Sequence, residues 1–464
     1  MPVSAKTLDE LRRIVGKDDV LTSREALLCY SYDATCLRAL PEAVVVVSST
    51  EEVARVLALA HRERIPVVPR GAGTGLSGGS VPAAGGIVID LQRMNRILEI
   101  DAENLCVVAE PGVITADLQA EVERRGFFFP PDPSSLKSST VGGNVAENAG
   151  GARGVKYGVT RDYVLGLEVV LADGRVLNTG GKQIKNVTGF DLTRLFVGSE
   201  GMLGVITKII FRLLPLPPFK RSLLAVYPRM EDASLTVTKI IAAGIVPTTI
   251  EIMDNTTIRC VEDYLRIGLP VAADAILLID VDGEPETVDK QVPIIASLAE
   301  AHGASEVKVA QTTEEADRLW AARRAVSPAL TRWRPSKVGE DISVPRSAVP
   351  AMIRRIQAIA KKHELTIAIF GHAGDGNLHP NILCDRRDAQ EMSRVHAAAS
   401  DIFAASLELG GTLSGEHGIG LSKQEYMVAG MGEVGLSVMR AIKRALDPHN
   451  ILNPAKVFPE EARQ

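Results

Sequence analysis

From about residue 43, apolar and polar positions follow two alternating periods. Ala43–Val47 is an unbroken apolar run, as expected of a strand buried on both faces. Ser49-Thr-Glu-Glu52 then reads as a capping box, and Val53, Val56, Leu57 and Ala60 recur at the spacing of one helix face. Ile65–Pro69 predicts a short strand. Others are predicted at Gly86–Leu91, Leu105–Val108, Tyr163–Leu171 and Gly204–Leu214, with Asp173-Gly174 turning a hairpin toward Val176. Upstream, Thr7-Leu-Asp-Glu10 predicts a capped amphipathic helix with Leu8, Leu11 and Ile14 or Val15 on one face.

The run LLPLPP, Leu213 to Pro218, fits neither a regular helix nor a central strand and marks a boundary. Beyond it glycine thins and helices lengthen. Strands predicted near Thr248–Met253, Ala275–Val281, Val307–Ala310, Val338–Val344 and Thr366–Phe370 alternate with helical stretches, which implies an antiparallel sheet backed by helices. The expected organisation is a first domain over residues 1–217, a second over 218–440, and a segment from 441 to 464 that returns to the first.

Composition narrows the function classes. The 464 residues suit two or three domains, and 46% hydrophobic with 23% charged residues is ordinary globular composition. A formal charge of −5 offers no basic surface for nucleic acid. The five cysteines are scattered without a C-x-x-C pair, so neither a disulfide framework nor an iron–sulfur ligand set is expected. No secretory signal and no apolar run near the roughly 18 residues of a membrane span occur, so a soluble cytoplasmic protein is expected.

The glycine-rich run PRGAGTGLSGG, Pro69 to Gly79, follows a strand, as a dinucleotide-binding fingerprint would. That fingerprint must also open a helix. Here Gly78, Gly79, Pro82, Gly85 and Gly86 follow and prevent one. An open loop of backbone N–H groups suited to an anion is what remains. A second glycine run, STVGGNVAENAGG (Ser139 to Gly151), follows FPPDPSS (Phe129 to Ser135), and a third, Val197 to Gly204, leads into a strand. Three such loops point to an extended, phosphate-bearing ligand lying across one domain.

A second constellation involves histidine. GHAGDGNLHPN (Gly371 to Asn381) and GEHGIG (Gly415 to Gly420) hold three of the eight histidines. With Gly374–Asn377 as a four-residue hairpin loop, His372 and His379 are expected directly opposite one another, with Cβ atoms about 4.5–5.5 Å apart on one face. Two imidazoles and the carboxylate of Glu416 make a three-ligand site with open positions, the catalytic arrangement for a divalent metal. The adjacent His417 can stay unligated; a 2-hydroxy acid could chelate such a metal through its carboxylate and hydroxyl, with a nearby histidine to take the proton.

The three glycine segments, the Pro-Asp-Pro-Ser run and GSEGMLGVIT resemble the FAD-binding domain of vanillyl-alcohol-oxidase-type flavoproteins. The resemblance implies an α+β protein, with a two-part FAD-binding domain of the PCMH type and an α+β cap domain built on an antiparallel sheet. It implies Arg70, Gly71, Gly73, Thr74, Gly75 and Gly79 at the pyrophosphate, and Pro133, Ser134, Thr140, Gly143 and Asn144 on the flavin side. Gly201, Gly204 and Ile206 are implied at the adenine half or the flavin edge. Some relatives attach flavin through histidine or cysteine; neither lies between Pro69 and Ser80 or Phe129 and Gly151, so non-covalent FAD is expected.

GHAGDGNLHPN and GTLSGEHGIG resemble the C-terminal domain of FAD-linked D-2-hydroxy-acid dehydrogenases, a group that includes the FAD-bearing subunit of glycolate oxidase. That resemblance implies a divalent ion, zinc first and manganese or iron as alternatives, on His372, His379 and Glu416. It implies His417 as catalytic base, Asn381 at the substrate and Arg323 on the substrate carboxylate, with Asn453 in a segment returning to the flavin. Ser327 stands where a relative acting on a larger acid has threonine, and Lys337 has no clean counterpart, which leaves substrate size open.

The expected activity is oxidation of glycolate or D-lactate to the 2-oxo acid. Alternatives are a D-2-hydroxyglutarate-type dehydrogenase and a flavin subunit that only relays electrons; an NAD-dependent dehydrogenase is disfavoured by the missing helix. Without a cluster of its own, the chain is expected to need an external acceptor or an iron–sulfur partner subunit, which could place it peripherally at the inner membrane. A homodimer is a further expectation.

Overall fold

The Ala43–Val47 run forms the strand Ala43–Val46 in a computed structural model that describes residues 3–459. It pairs in parallel with Ile87–Asp90, which pairs in parallel on its other side with Val67–Arg70. Val20–Leu21 adds an antiparallel edge. The adjoining sheet is antiparallel throughout, in the order Ile97–Asp101, Cys106–Ala109, Val205–Arg212, Val164–Val170, Val176–Gly180. The Asp173-Gly174 turn is present, with Gly174 at φ 87° as such a turn requires.

Two capping expectations change in detail. Ser4, not Thr7, caps the first helix, Ala5–Val15, its Oγ accepting from Thr7 N at 3.1 Å. Ser49 does cap Thr50–Glu63, but Glu52 turns back to Ser48 N at 2.7 Å rather than to the cap residue. The second glycine segment is also not an open loop. Val141–Glu147 is a short helix capped by Thr140, and Gly142 is tolerated within it because Pro111 packs where a side chain would stand.

The chain divides into two compact units. The first comprises residues to Gly150, Val159–Leu216 and the chain from Glu416 onward; the second comprises Gly151–Gly158 and Pro217–Gly415. The return to the first unit therefore comes at Glu416 rather than near 441. Backbone groups from this stretch find partners there: the Glu200 carboxylate accepts from Ile419 N (2.9 Å) and Gly420 N (2.7 Å), and Ser77 O accepts from Leu421 N (2.8 Å). Further on, Val67 N donates to Ile451 O and Asn453 N to Val67 O, each at 2.7 Å.

The second unit is built on one antiparallel sheet. Its order is Glu306–Val309, Phe219–Tyr227, Ala275–Gly283, Thr249–Asp254, Thr366–His372, Asn377–Cys384, Ser336–Gly339, with Ile342–Ser343 paired beside the last two. The predicted Val338–Val344 strand is thus two short pieces, and Phe219–Tyr227, whose polar start hides it in the sequence, is a full strand.

Register places one set of residues on a single face of this sheet. Val226, Ile276, Met253 and Ala368 form its apolar part and pack against Ile258, Val261, Val326 and Leu330 of the Asn255–Leu265 and Val326–Trp333 helices. Each buried valine, leucine, isoleucine or methionine among them contributes roughly 1.5–3 kcal/mol. The same face continues as Ser222, Asp280, Thr249, Glu251, His372, His379 and Asn381. All seven are buried. Buried polar groups persist only with partners, and these form the polar constellation described below.

Candidate cofactor and substrate sites

The first glycine run leaves the Val67–Arg70 strand without starting a helix and remains open as far as Ile87. Its backbone bounds a cavity within the first unit. Gly71, Gly73, Thr74, Gly75, Gly79, Pro133, Ser134, Thr140, Gly143, Asn144, Gly201, Gly204 and Ile206 all line it. The loops meet closely. A Cβ on Gly71 would run into the Thr140 hydroxyl, and one on Gly142 would lie 2.9 Å from both Pro111 O and Pro111 Cα. A hydroxyl–amide chain ties the floor together: Asn144 Nδ2 donates to Thr115 Oγ1 (2.7 Å), which donates to Ser139 O (3.0 Å). An elongated ligand could therefore lie against backbone for much of its length, which suits the three-loop reading of an extended, phosphate-bearing ligand.

Glu416 and His417 line the same cavity, with His417 Nε2 3.9 Å from Glu416 Oε1. Two buried acids beside it were not singled out as a pair from sequence. Glu147 Oε1 accepts from Ser77 Oγ at 3.1 Å, and Glu200 holds the backbone of residues 419–420. Burial raises both carboxyl pKa values, and for Glu147 the Glu200 charge raises it further. Each Glu sits in a glycine-rich stretch, and only the fold brings the two stretches together.

In the second unit the histidine hairpin closes over residues 373–376, so His372 pairs with Asn377 and His379 with Phe370. The expected direct opposition of the two histidines is therefore shifted. The shift is by two residues, which keeps side chains on the same face where a shift of one would reverse them. As diagonal neighbours the two rings meet edge-on, centroids 5.1 Å apart at 87°.

Each imidazole has a buried carboxylate beside Nδ1. Glu251 Oε1 lies 2.5 Å from His372 Nδ1, and Asp341 Oδ1 lies 3.8 Å from His379 Nδ1. Glu251 Oε2 accepts from Arg323 Nε, also at 2.5 Å. Burial alone would raise the Glu251 carboxyl, but His372 and Arg323 overcome it and hold it down at about 2. The Arg323 guanidinium carbon lies 4.9 Å from the centre of the Phe370 ring. Arg323 ends a helix, Thr313–Arg324, that is itself pinned to the sheet by Trp320 Nε1 donating to Asp280 Oδ1 at 2.9 Å. Asn381 Nδ2 donates to His379 O at 3.0 Å. Ser327 and Lys337, ten residues apart, meet at 3.0 Å, with the lysine donating, and burial lowers the lysine pKa to about 8.

The family described as "FAD linked oxidases, C-terminal domain" matches residues 216–457, and the family described as "FAD binding domain" matches 41–180. The chain is 49% identical to glycolate oxidase subunit GlcD of Bacillus subtilis, over 98% of this chain and 97% of that protein. The chain belongs to the FAD-linked oxidases. It is also 40% identical to glycolate oxidase subunit GlcD of Escherichia coli K12 (97% of this chain, 90% of that protein) and 35% identical to D-lactate dehydrogenase of Anaerostipes hadrus (98% of each). The solved structure of p-cresol methylhydroxylase with bound substrate superposes with a TM-score of 0.80 at 20% identity, covering 98% of each chain. That of 4-ethylphenol oxidase from Gulosibacter chungangensis gives 0.78 at 22% identity, over 99% and 98%. The expected α+β fold, with an FAD-binding domain of the vanillyl-alcohol-oxidase type, is the fold found.

In this FAD-linked oxidase two expected cofactor residues have other places. Arg70 does not line the cavity. Strand alternation sends its side chain beneath the loop, where Nη1 donates to Tyr32 O (2.8 Å) and Ser80 Oγ (3.2 Å) and the guanidinium fills the space a Gly73 side chain would need. Asn453 also lies outside the lining and staples two loops, Nδ2 donating to Gly79 O (2.9 Å) and Glu200 O (2.7 Å). Lys456 reinforces it from within the protein, donating to Gly79 O, Val81 O and Asn453 Oδ1 at 2.7–2.9 Å. Glu251, which joins Arg323 and His372, is the main residue of this polar face that sequence reasoning missed. Its only signal was a charged residue at an inward position of the apolar strand TIEIMD.

Proposed function

We propose that this oxidase converts a small 2-hydroxy acid, glycolate or D-lactate, to the 2-oxo acid, using non-covalently bound FAD. The observation that carries the reading is that Arg323 and His372 share one buried carboxylate on a polar sheet face, 2.5 Å on either side. This sets a carboxylate-binding guanidinium beside a pair of imidazoles, in a chain whose other unit binds FAD. The names of the relatives, glycolate oxidase subunit and D-lactate dehydrogenase, agree with that chemistry.

In this reading Arg323 grips the substrate carboxylate as a guanidinium–carboxylate pair. His417 takes the α-hydroxyl proton, and Asn381 contacts the substrate. His372, His379 and Glu416 are the residues to hold a divalent ion, zinc before manganese or iron; the Glu251 carboxylate at His372 Nδ1 is the kind of outer contact by which metal-binding imidazoles are usually fixed. Such an ion, when bound, lowers the hydroxyl pKa. FAD, when bound, takes up the hydride equivalent and yields the electrons to an external acceptor or a partner subunit bearing iron–sulfur clusters. No described helix is long and apolar enough to cross a membrane, so any membrane association is expected through such partners.

The test is anaerobic mixing of the FAD-loaded protein with a panel of D- and L-2-hydroxy acids while flavin absorbance is followed. Glycolate or D-lactate should bleach it fastest, and H417A should keep FAD but lose the bleaching. An H417A protein that bleaches at the wild-type rate refutes the base assignment; a panel without any bleaching refutes the substrate class.

A further inference from the structure

Glu251 is a carboxylate with two donors and no water-exposed role. It is 1% exposed, Oε1 meets His372 Nδ1 and Oε2 meets Arg323 Nε, both at 2.5 Å. The three residues come from three elements: the Thr249–Asp254 strand, the Thr366–His372 strand directly beside it, and the Thr313–Arg324 helix above. Glu251 and His372 are register partners, so the first contact is built into the sheet.

We propose that Glu251 is a positioning residue for both arms of the substrate site, fixing the tautomer of His372 for a metal ion and the aim of Arg323 for the substrate carboxylate. This rests on the metal and arginine roles proposed above. The physical argument is one of hydrogen-bond inventory. A carboxylate accepts at both oxygens, so it can take a proton donor from His372 and another from Arg323 together. Accepting from Nδ1–H leaves the imidazole lone pair on Nε2, the form that ligates metals. Accepting from Nε of Arg323 occupies the one donor that does not belong to the terminal fork. Nη1 and Nη2 make no hydrogen bond among the described residues, so the fork is left to a carboxylate ligand, while Phe370 fixes its plane.

Glutamine cannot reproduce this. Its amide offers one acceptor and one donor end. If the oxygen faces His372, the NH2 confronts Arg323 Nε donor to donor. If it faces Arg323, the NH2 donates to Nδ1 and moves the imidazole proton to Nε2, where it blocks a metal. One arm is lost either way.

The test uses the full-length FAD-loaded protein as wild type, E251Q and R323M, with zinc affinity from competition against a chromophoric chelator and steady-state kinetics at saturating zinc. E251Q is expected to weaken zinc about 10–100-fold, the usual effect of losing an outer carboxylate, and to raise KM for glycolate or D-lactate at least tenfold. R323M should raise KM similarly but leave zinc affinity within threefold, a split that a general loss of packing would not produce. E251Q with both constants within twofold of wild type overturns the proposal, as does R323M losing zinc as strongly as E251Q. If E251Q does not fold, E251D takes its place. Its carboxylate keeps the charge but is one methylene short of both donors, so at least tenfold weaker zinc binding is expected, and an unchanged E251D overturns the proposal equally. A wild-type protein with no saturable zinc site refutes the metal reading itself, and this inference with it.

Discussion

Asp254 and Glu251 stand three residues apart on one strand, both buried, and their surroundings drive them in opposite directions. Glu251 is held down at about 2 with two cationic partners. Asp254 has none. Burial raises its carboxyl to about 6, against the opposing pull of hydrogen bonds from Thr257 N (2.8 Å) and Thr257 Oγ1 (2.6 Å) to Oδ1. Asp254 is the N-cap of the Asn255–Leu265 helix, which packs on the apolar part of the sheet face.

Replacing Asp254 with asparagine keeps the cap, since the two are nearly equal at that position, and removes the charge. The folded pKa exceeds the ordinary 3.8 by about two units, or roughly 3 kcal/mol. Between pH 3.8 and 6 the folded chain binds the proton more tightly than the unfolded chain, so this contribution to stability is present at low pH and is lost as pH rises through 6. D254N should therefore match wild type near pH 4 and exceed it by roughly 3 kcal/mol at pH 7. Trp320 and Trp333 are the only tryptophans, and both lie in the second unit, so their fluorescence reports its urea unfolding alone. With a urea slope of about 2–3 kcal/mol/M, the midpoint at pH 7 should rise by about 1–1.5 M. Equal midpoints at pH 7, or an equal gain at pH 4 and 7, would show that the Asp254 charge does not carry this cost.

Three further outcomes follow from the first unit. G142A should weaken FAD binding at least tenfold in a flavin titration, because the new Cβ meets Pro111 backbone that cannot turn aside; tight binding would show that Pro111 yields. K456M removes the donor to three buried acceptors at roughly 1–3 kcal/mol each, partly offset by release of an ammonium whose pKa burial has lowered to about 8. The expected net is a loss of a few kcal/mol, read as a lower flavin-release temperature, and an unchanged temperature refutes the clamp. Glu147, with its pKa raised by burial, favours the folded state while protonated and loses that contribution as pH rises past the raised value. E147Q mimics the protonated acid, so its melting temperature should fall less than wild type toward alkaline pH; parallel pH curves would refute this.

Much of the cofactor side was legible because backbone chemistry decides it. A glycine run that cannot start a helix must stay open, and Pro69 to Gly86 does. Where a second residue governs the outcome, the sequence was less informative. Gly142 and Gly143 read as loop glycines, yet Pro111, some thirty residues upstream, makes them part of a tightly packed helix. Arg70 looked like a phosphate ligand, but strand alternation puts it behind the loop. The histidine hairpin was recognisable as a hairpin on one face, whereas its register depended on which residues the turn consumed, and Gly376 at φ 87° ends the turn one residue earlier than expected.

The polar face of the second unit was harder for a reason that the sheet makes plain. Read at every second residue, the strands pass from apolar to polar along one face: Met253 then Glu251 and Thr249, Ala368 and Phe370 then His372, Ile276 and Leu278 then Asp280. Most of these strands show only one or two polar residues at inward positions, which alone reads as a buried polar exception; Asn377–Cys384 carries three, Asn377, His379 and Asn381. Antiparallel pairing aligns those exceptions into one region. A face of this kind forgoes roughly 1.5–3 kcal/mol at each position where an apolar side chain could have been buried. It also requires every polar group to find a partner, and Asp280 alone engages Ser222, Trp320 and Lys220. Stability gives no reason to keep such an arrangement, because well-packed apolar residues are commonly as stable as buried ion pairs or more so. If the Glu251–Arg323–His372 group serves the proposed chemistry rather than stability, replacing all three with apolar residues should leave the fold standing while abolishing flavin reduction by the acid.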